Sequence, residues 1–146
     1  ISLLTGDVLL LDLKSWRPTR TLSDALMTSD AMAFAADGSA LVAAAFDGTV
    51  LVWQTARWTA RHVRGIPGEN ALAVAPDGSQ AVVSRTSFNP RDTPAEALLL
   101  DLGGDRVLAR APLGIASSAD VAFIGRGHGR VVSARGTSVE LRDLRG

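Results

Sequence analysis

Phe46-Asp47-Gly48-Thr49-Val50-Leu51-Val52-Trp53-Gln54 decides how this chain is read. Asp-Gly between two short apolar runs is the strongest short-range hairpin signal, because both residues tolerate the positive φ of a tight turn. The run after the turn, Val50 to Trp53, is apolar at every position and stops at polar Gln54. The run before it, Ala40 to Phe46, is the longest apolar stretch in the chain. A strand without polar alternation is covered on both faces. The segment therefore reads as a hairpin sandwiched between two other layers.

Working outward, the same plan recurs. Ala33-Phe34-Ala35-Ala36-Asp37-Gly38-Ser39 matches Ala73-Val74-Ala75-Pro76-Asp77-Gly78-Ser79 at an offset of 40 residues, and Ala122-Phe123-Ile124-Gly125-Arg126-Gly127 is a weaker third copy. Apolar runs end on a polar residue at Asp12, Gln54, Asp101 and Asp143, at offsets of 42, 47 and 42. Gly38 to Gln54 and Gly127 to Asp143 both span 16 residues, whereas Gly78 to Asp101 spans 23, which places an insertion between Val83 and Ala97. A period near 40 with several short strands is that of a four-stranded propeller blade. A helix over Leu22–Ala36, with Ser23 or Asp24 as N-cap, is the competing reading. Its counterpart one repeat on, Gly65-Ile66-Pro67-Gly68-Glu69-Asn70, cannot continue a helix.

The expected fold is all-β, with blades of four antiparallel strands and an incomplete ring. Naming the strands of a blade a to d, the sequence predicts a part blade in 1–22, with b at Ile1–Leu4, c at Val8–Asp12 and d at Arg17–Leu22. A full blade follows over 31–63 (Ala31–Ala35, Ala40–Phe46, Thr49–Gln54, Thr59–Val63). Another covers 71–111 (Ala71–Ala75, Gln80–Arg85, Ala97–Asp101, Val107–Ala111). A last part blade covers 120–143 (Asp120–Ile124, Arg130–Ala134, Ser138–Asp143). That is three and a half blades, and a propeller needs at least four. A chain opening on strand b at Ile1 implies upstream blades, and unpaired edges imply association.

Composition narrows the function. Fifteen Lys plus Arg balance fifteen Asp plus Glu, so no net field selects nucleic acid or an acidic membrane. The chain has no cysteine, which removes disulfide, zinc-thiolate and thiol-nucleophile chemistry. No apolar run approaches the ~20 residues of a spanning helix. Richness in Ala, Arg, Gly and Asp suggests a GC-rich bacterial genome.

The quoted segment resembles the WD repeat, with Asp47 in a tight turn, then Gly48-Thr49, then a strand ending in Trp53; Gln54 stands where the pattern has Asp. The first unit keeps Gly6-Asp7-Val8 and Asp12, the third Asp101, the fourth Gly136-Thr137 and Asp143. The pattern's Gly-His pair is missing near Ala25-Leu26, and Gly127-His128 falls instead in the turn matching Gly38. The resemblance is thus to a divergent member. It implies a propeller acting as a non-catalytic protein-interaction scaffold, whose loop face binds a protein or peptide.

Individual residues fit that expectation. Trp53 reads as core, and Asp37, Gly38, Asp47, Gly48, Asp77 and Gly78 as turn residues of the repeat. Trp16 and Trp58, 42 residues apart, follow strand c and form either peripheral packing or an exposed aromatic patch for a partner. The insertion Thr86–Glu96 is a Pro-containing surface loop joining b to c, on the face that such repeats use most for binding. Phe88, Asn89, Arg91 and Asp92 are its candidate contacts: Phe88 as aromatic anchor, Arg91 as a fork for carboxylate or phosphate. His62 and His128 stand alone, and no Asp-rich metal loop or Gly-rich phosphate loop occurs. The residues therefore point to no catalytic group, cofactor or metal, and to a cytoplasmic protein. The alternative is the propeller part of an enzyme or sensor whose catalytic residues lie in other blades or a fused domain.

Overall fold

A computed structural model describes residues 1, 3–23, 29–68, 70–85, 95–114, 120–125, 129–135 and 138–145. Among them it forms thirteen strands and no helix. The first sheet pairs β1 (Val8–Asp12) with β2 (Arg17–Leu22). The second sheet is β3 (Ser29–Phe34), β4 (Ala40–Ala45), β5 (Thr49–Gln54) and β6 (Thr59–Arg64), side by side in chain order. The third repeats this with β7 (Asn70–Val74), β8 (Gln80–Arg85), β9 (Ala95–Asp101) and β10 (Arg106–Gly114). The fourth has β11 (Asp120–Phe123), β12 (Arg130–Arg135) and β13 (Ser138–Asp143). All neighbours are antiparallel.

The continuous apolar runs are explained by stacking. Side chains alternate across a strand, and here each side meets a different sheet. Val42, Ala44, Val50 and Val52 pack with Ala81, Val83, Leu98 and Leu100 of the third sheet. Their sequence neighbours Leu41, Ala43, Leu51 and Trp53 pack with Val8 and Leu22 of the first. The third sheet turns Val82, Ala97 and Leu99 the other way, onto Val131 and Leu144 of the fourth. Each such fully buried Val or Leu contributes about 1.5–3 kcal/mol of transfer free energy. Backbone hooks lock the second, third and fourth sheets at one end: Thr55 N–H donates to Ser39 O (3.0 Å), Leu102 N–H to Ser79 O (2.9 Å) and Leu144 N–H to Gly129 O (2.8 Å).

Several expected boundaries move. The second sheet spans 29–64 and the third 70–114, not 31–63 and 71–111, because bulges at Ser29/Ala31 and Pro112/Gly114 carry pairing past an irregular residue. Phe46 leaves the strand and enters the turn. Ala95 and Glu96 leave the insertion and enter β9, since Glu96 lies opposite Arg85. Strand b at Ile1–Leu4 is present only as backbone bonds: Ile1 and Leu9 exchange two (2.8 and 2.7 Å), and Leu3 N–H donates to Asp7 O (2.8 Å). Ile1 thereby stands opposite Leu9 as Ala43 stands opposite Leu51 in the second sheet.

The fourth sheet hides a compensated shift. Ala35 and Ala75 donate to the fifth residue on, Ala40 and Gln80, but Ile124 donates to the sixth, Arg130. Conversely, Ala45 faces Thr49's level across three loop residues, 46–48, whereas Arg135 pairs Ser138 across two, 136–137. One turn is a residue longer and the next a residue shorter. The equal 16-residue spacing conceals both changes. Gly136-Thr137 and Gly127-His128 fall outside the described residues.

Candidate partner-binding face

The loops between second and third strands of neighbouring sheets lie at one end of the stack. In the second sheet this loop is Phe46-Asp47-Gly48. Asp47 Oδ1 accepts from Thr49 N–H (2.8 Å), and Gly48 N–H donates to Ala45 O (3.0 Å). Gly48 has φ +89°, and a Cβ there would sit 2.7 Å from Pro67 N. Gly65 N–H donates to Gly48 O (2.7 Å) and Gly68 N–H to Phe46 O (2.8 Å). The hairpin loop and the connector to the next sheet are thus one rigid unit. On it Phe46 is 52% exposed, an aromatic side chain held outward by a fixed backbone.

In the third sheet the corresponding connection is 86–94, so Phe88, Asn89, Arg91 and Asp92 lie outside the described residues. Its foot is described. Arg85 closes β8, Glu96 lies opposite it on β9, and Pro112 lies opposite Glu96 on β10. Arg85 Nη2 is 3.1 Å from Glu96 Oε1, and Arg110 Nη1 is 3.5 Å from Glu96 Oε2. With Ala95, Ala111 and Pro112 they line a cavity of about 250 Å³. Two guanidinium groups meet one carboxylate beside an apolar floor. Arg85 is mostly buried and Arg110 is 61% exposed, so only the latter can swing toward a ligand without disrupting the sheet. Sequence reading missed Phe46, Arg85, Glu96 and Arg110. The available signal was a pair of opposite charges flanking the insertion, at its two ends.

The opposite end is built from Asx turns. Asp37 Oδ1 accepts from Ser39 N–H (2.9 Å), and Asp77 Oδ1 accepts from Ser79 N–H (3.0 Å) and Oγ–H (2.7 Å). Gly38 and Gly78 both have positive φ, and a Cβ at Gly78 would lie 2.8 Å from Ser39 Oγ. Successive turns therefore nest. Asp12 Oδ1 accepts from Ser15 N–H (2.7 Å), Ser15 Oγ–H (2.8 Å) and Lys14 N–H (3.1 Å). Asp101 Oδ1 accepts from Gly103 and Gly104 N–H (2.9 and 3.1 Å). These bonds stabilise the ionised form. Ser15 holds the Asp12 carboxyl below its ordinary pKa, the Ser39 hydroxyl and N–H do so for Asp37, and the Gly103 N–H leads for Asp101.

The same outer turns place Trp16, Trp58 and Asp105 at φ 54°, 54° and 52°. Trp16 and Trp58 each donate their N–H four residues back, to Asp12 O (2.8 Å) and Gln54 O (2.6 Å). They are not one exposed patch. Trp16 is 73% exposed; Trp58 is half-buried against the core shared with the first sheet, under Arg20, whose Cζ is 5.7 Å from the ring centroid. Trp53 is fully buried. Among the described residues no group of three His, Cys, Asp or Glu could hold a metal ion, and no helix is long and apolar enough to cross a membrane.

Stacked, consecutively wound four-stranded antiparallel sheets are the architecture of a β-propeller, and solved structures agree. The chain is similar to the Cps50 (Swd1) beta-propeller domain of Myceliophteria thermophila, with TM-score 0.65, 17% identity, and coverage of 81% of this chain and 36% of that chain. It is similar to Kuenenia stuttgartiensis hydrazine synthase, with TM-score 0.74, 15% identity, and coverage of 89% of this chain and 38% of that chain. At these identities the likeness shows the fold: an open run of propeller blades, spanning little more than a third of either neighbour. No family model and no curated protein matches the sequence.

Proposed function

We propose that this chain is part of a divergent WD-repeat-type propeller, bacterial and cytoplasmic, which serves as a non-catalytic scaffold binding a protein or peptide on its loop face. The WD-repeat reading is supported by the Asp47–Gln54 segment. The bacterial one is supported by composition. The observation that carries the binding reading is the Arg85–Glu96–Arg110 cavity at the foot of the 86–94 loop, at the end of the stack where Phe46 also projects. It combines an apolar floor, a few polar groups and a rigid frame, the usual make-up of a recognition site.

The test isolates partners by affinity capture, then measures each purified partner by calorimetry against the chain, Arg110→Ala, Phe46→Ala and a chain with 86–94 shortened. Loss of about 1–2 kcal/mol of binding free energy at either side chain is expected of an interface anchor. Unchanged affinity in all three variants removes the reading. The alternative, a propeller part of an enzyme or sensor, draws support from hydrazine synthase among the structural neighbours. A fused catalytic domain in the full reading frame would favour it.

A further inference from the structure

The outer edges of the sheets are not alike. β2, β6 and β10 each end a sheet. β2 contains Pro18, and its register shifts where it faces Leu10/Leu11. β10 contains Pro112 and shifts at Val107/Ala109 and Pro112/Gly114. A proline or a bulge spoils a sheet edge for further pairing. β6 has neither: all six of its residues face β5 in unbroken register. It closes a complete four-stranded sheet that has a neighbour on either side.

Backbone parity decides which groups that edge offers. Opposed residues of an antiparallel pair alternate between bonded and unbonded. Thr55 N–H donates to Ser39 O on the β4 side of β5, and Gly65 N–H donates to Gly48 O on the β6 side. Even-numbered residues of β5 therefore bond odd-numbered residues of β6, and the N–H and C=O of His62 and Arg64 point away from the sheet. No other described residue bonds them. Both side chains are exposed. The third sheet meets β6 at Arg61, whose Nη1 donates to Gly103 O (2.7 Å). Beyond that contact lies a cavity of about 340 Å³, lined by Asp47, Thr49, His62, Val63, Arg64 and Asp105.

Charge selects the occupant. The chain is balanced as a whole, yet β2, β6 and β10 hold two arginines each and no Asp or Glu. A second copy of β6 laid along the first would set cation against cation, which is unfavourable across strands, whereas opposite charges there are favourable. We propose that the edge of β6 takes an extended acidic segment of a partner protein as an added strand. The segment's main chain bonds His62 and Arg64, and its Asp or Glu side chains, at alternate positions, lie opposite them. The residue between those acids meets Val63 and Asp105, and is uncharged or basic. The site lies on the rim of the stack and stands apart from the loop-face reading.

The test follows amide hydrogen exchange of the full chain by NMR, with a short capped peptide alternating threonine and glutamate as the probe. Exchange at His62 and Arg64 should slow severalfold, while Arg61 and Val63, already bonded to β5, should stay as they were. A threonine–lysine peptide should leave all of these amides unchanged. Arg64→Glu, a substitution at an exposed side chain, should reverse the preference between the two peptides. The proposal is overturned if the glutamate peptide slows neither amide, or if the lysine peptide protects them equally. Equal protection by the glutamate peptide N-methylated at its pairing residues also overturns it, since charge would then adhere without a strand. Protection that needs no peptide and grows with chain concentration would assign the edge to a second copy and overturn it as well.

Discussion

Val50 and Val139 hold the same place in the third strand of their sheets, as do Val52 and Leu141. Val50 and Val52 are each 1% exposed; Val139 and Leu141 are 73% and 60% exposed. The two strands share the antiparallel pairing and an apolar residue at these two positions, although β13 has Glu140 and Arg142 where β5 has Leu51 and Trp53. What separates them is the next sheet: the second sheet has the third stacked upon it, and among the described residues nothing covers the outer side of the fourth. Apolar burial in this fold is supplied by neighbours, while the hydrogen-bond ladder is supplied by each sheet itself.

The contrast can be broken by placing a charge on each side of it. Val52→Asp should cost more than about 4 kcal/mol, because a carboxylate enters an apolar layer without a partner. Leu141→Asp should change stability by less than about 0.5 kcal/mol. Urea unfolding followed by circular dichroism compares the two, and similar losses would mean that the outer face is covered in solution. Trp53→Ala, on the opposite face of the same strand as Val52, should cost about 3–5 kcal/mol in the same assay.

A smaller effect separates the two ends of the stack. Gly38→Ala meets nothing within 4 Å but imposes φ +72° on a side chain, a cost of about 1–2 kcal/mol. Gly48→Ala adds a backbone clash with Pro67 to φ +89°, so overpacking should contribute a further ~1–3 kcal/mol. Thermal unfolding of both variants ranks the rigid loop face against the more open Asx-turn end. Arg20→Ala should cost only about 0.5–1 kcal/mol, the worth of an accessible cation–π contact.

The smallest expected effect is on pH dependence. The carboxyls of Asp12, Asp37 and Asp101 have folded pKa values below their ordinary value. Their contribution is therefore complete above the unfolded carboxylate pKa of about 3.9 and is lost as pH falls through the lower folded value. Asp101→Asn keeps an acceptor for Gly103 but no charge, so it should lower neutral stability slightly and flatten the dependence of the urea midpoint on pH below that region. An unaltered slope would show that the turn does not favour the ionised form.

The third strands were legible from sequence to the residue at Val8–Asp12 and Thr49–Gln54, where an unbroken apolar run is bounded by turn residues, and at Ser138–Asp143, where apolar and charged residues alternate up to Asp143. Arg17–Leu22 and Gln80–Arg85 also match to the residue; the remaining inner and outer strands drifted by one to three residues, and bulges at Ser29 and Pro112 extend pairing there without a compositional mark. The compensated shift in the fourth sheet was invisible because its two changes cancel in the spacing. The Arg85–Glu96–Arg110 cluster was hidden for a different reason: residues 11 and 14 apart meet only once the hairpin register across the insertion is known. Trp16 and Trp58 looked equivalent because locally they are; their exposure depends on a sheet that neither turn encodes.

The alternation of side chains between two neighbours gives the stack a direction. Leu9 and Leu11 mark a leading side, Val139 and Leu141 a trailing side, and the two are unlike surfaces. Self-association that sets the trailing side of one copy against the leading side of another is heterologous. Contacts of that kind either close into a ring, of two copies or more, or propagate.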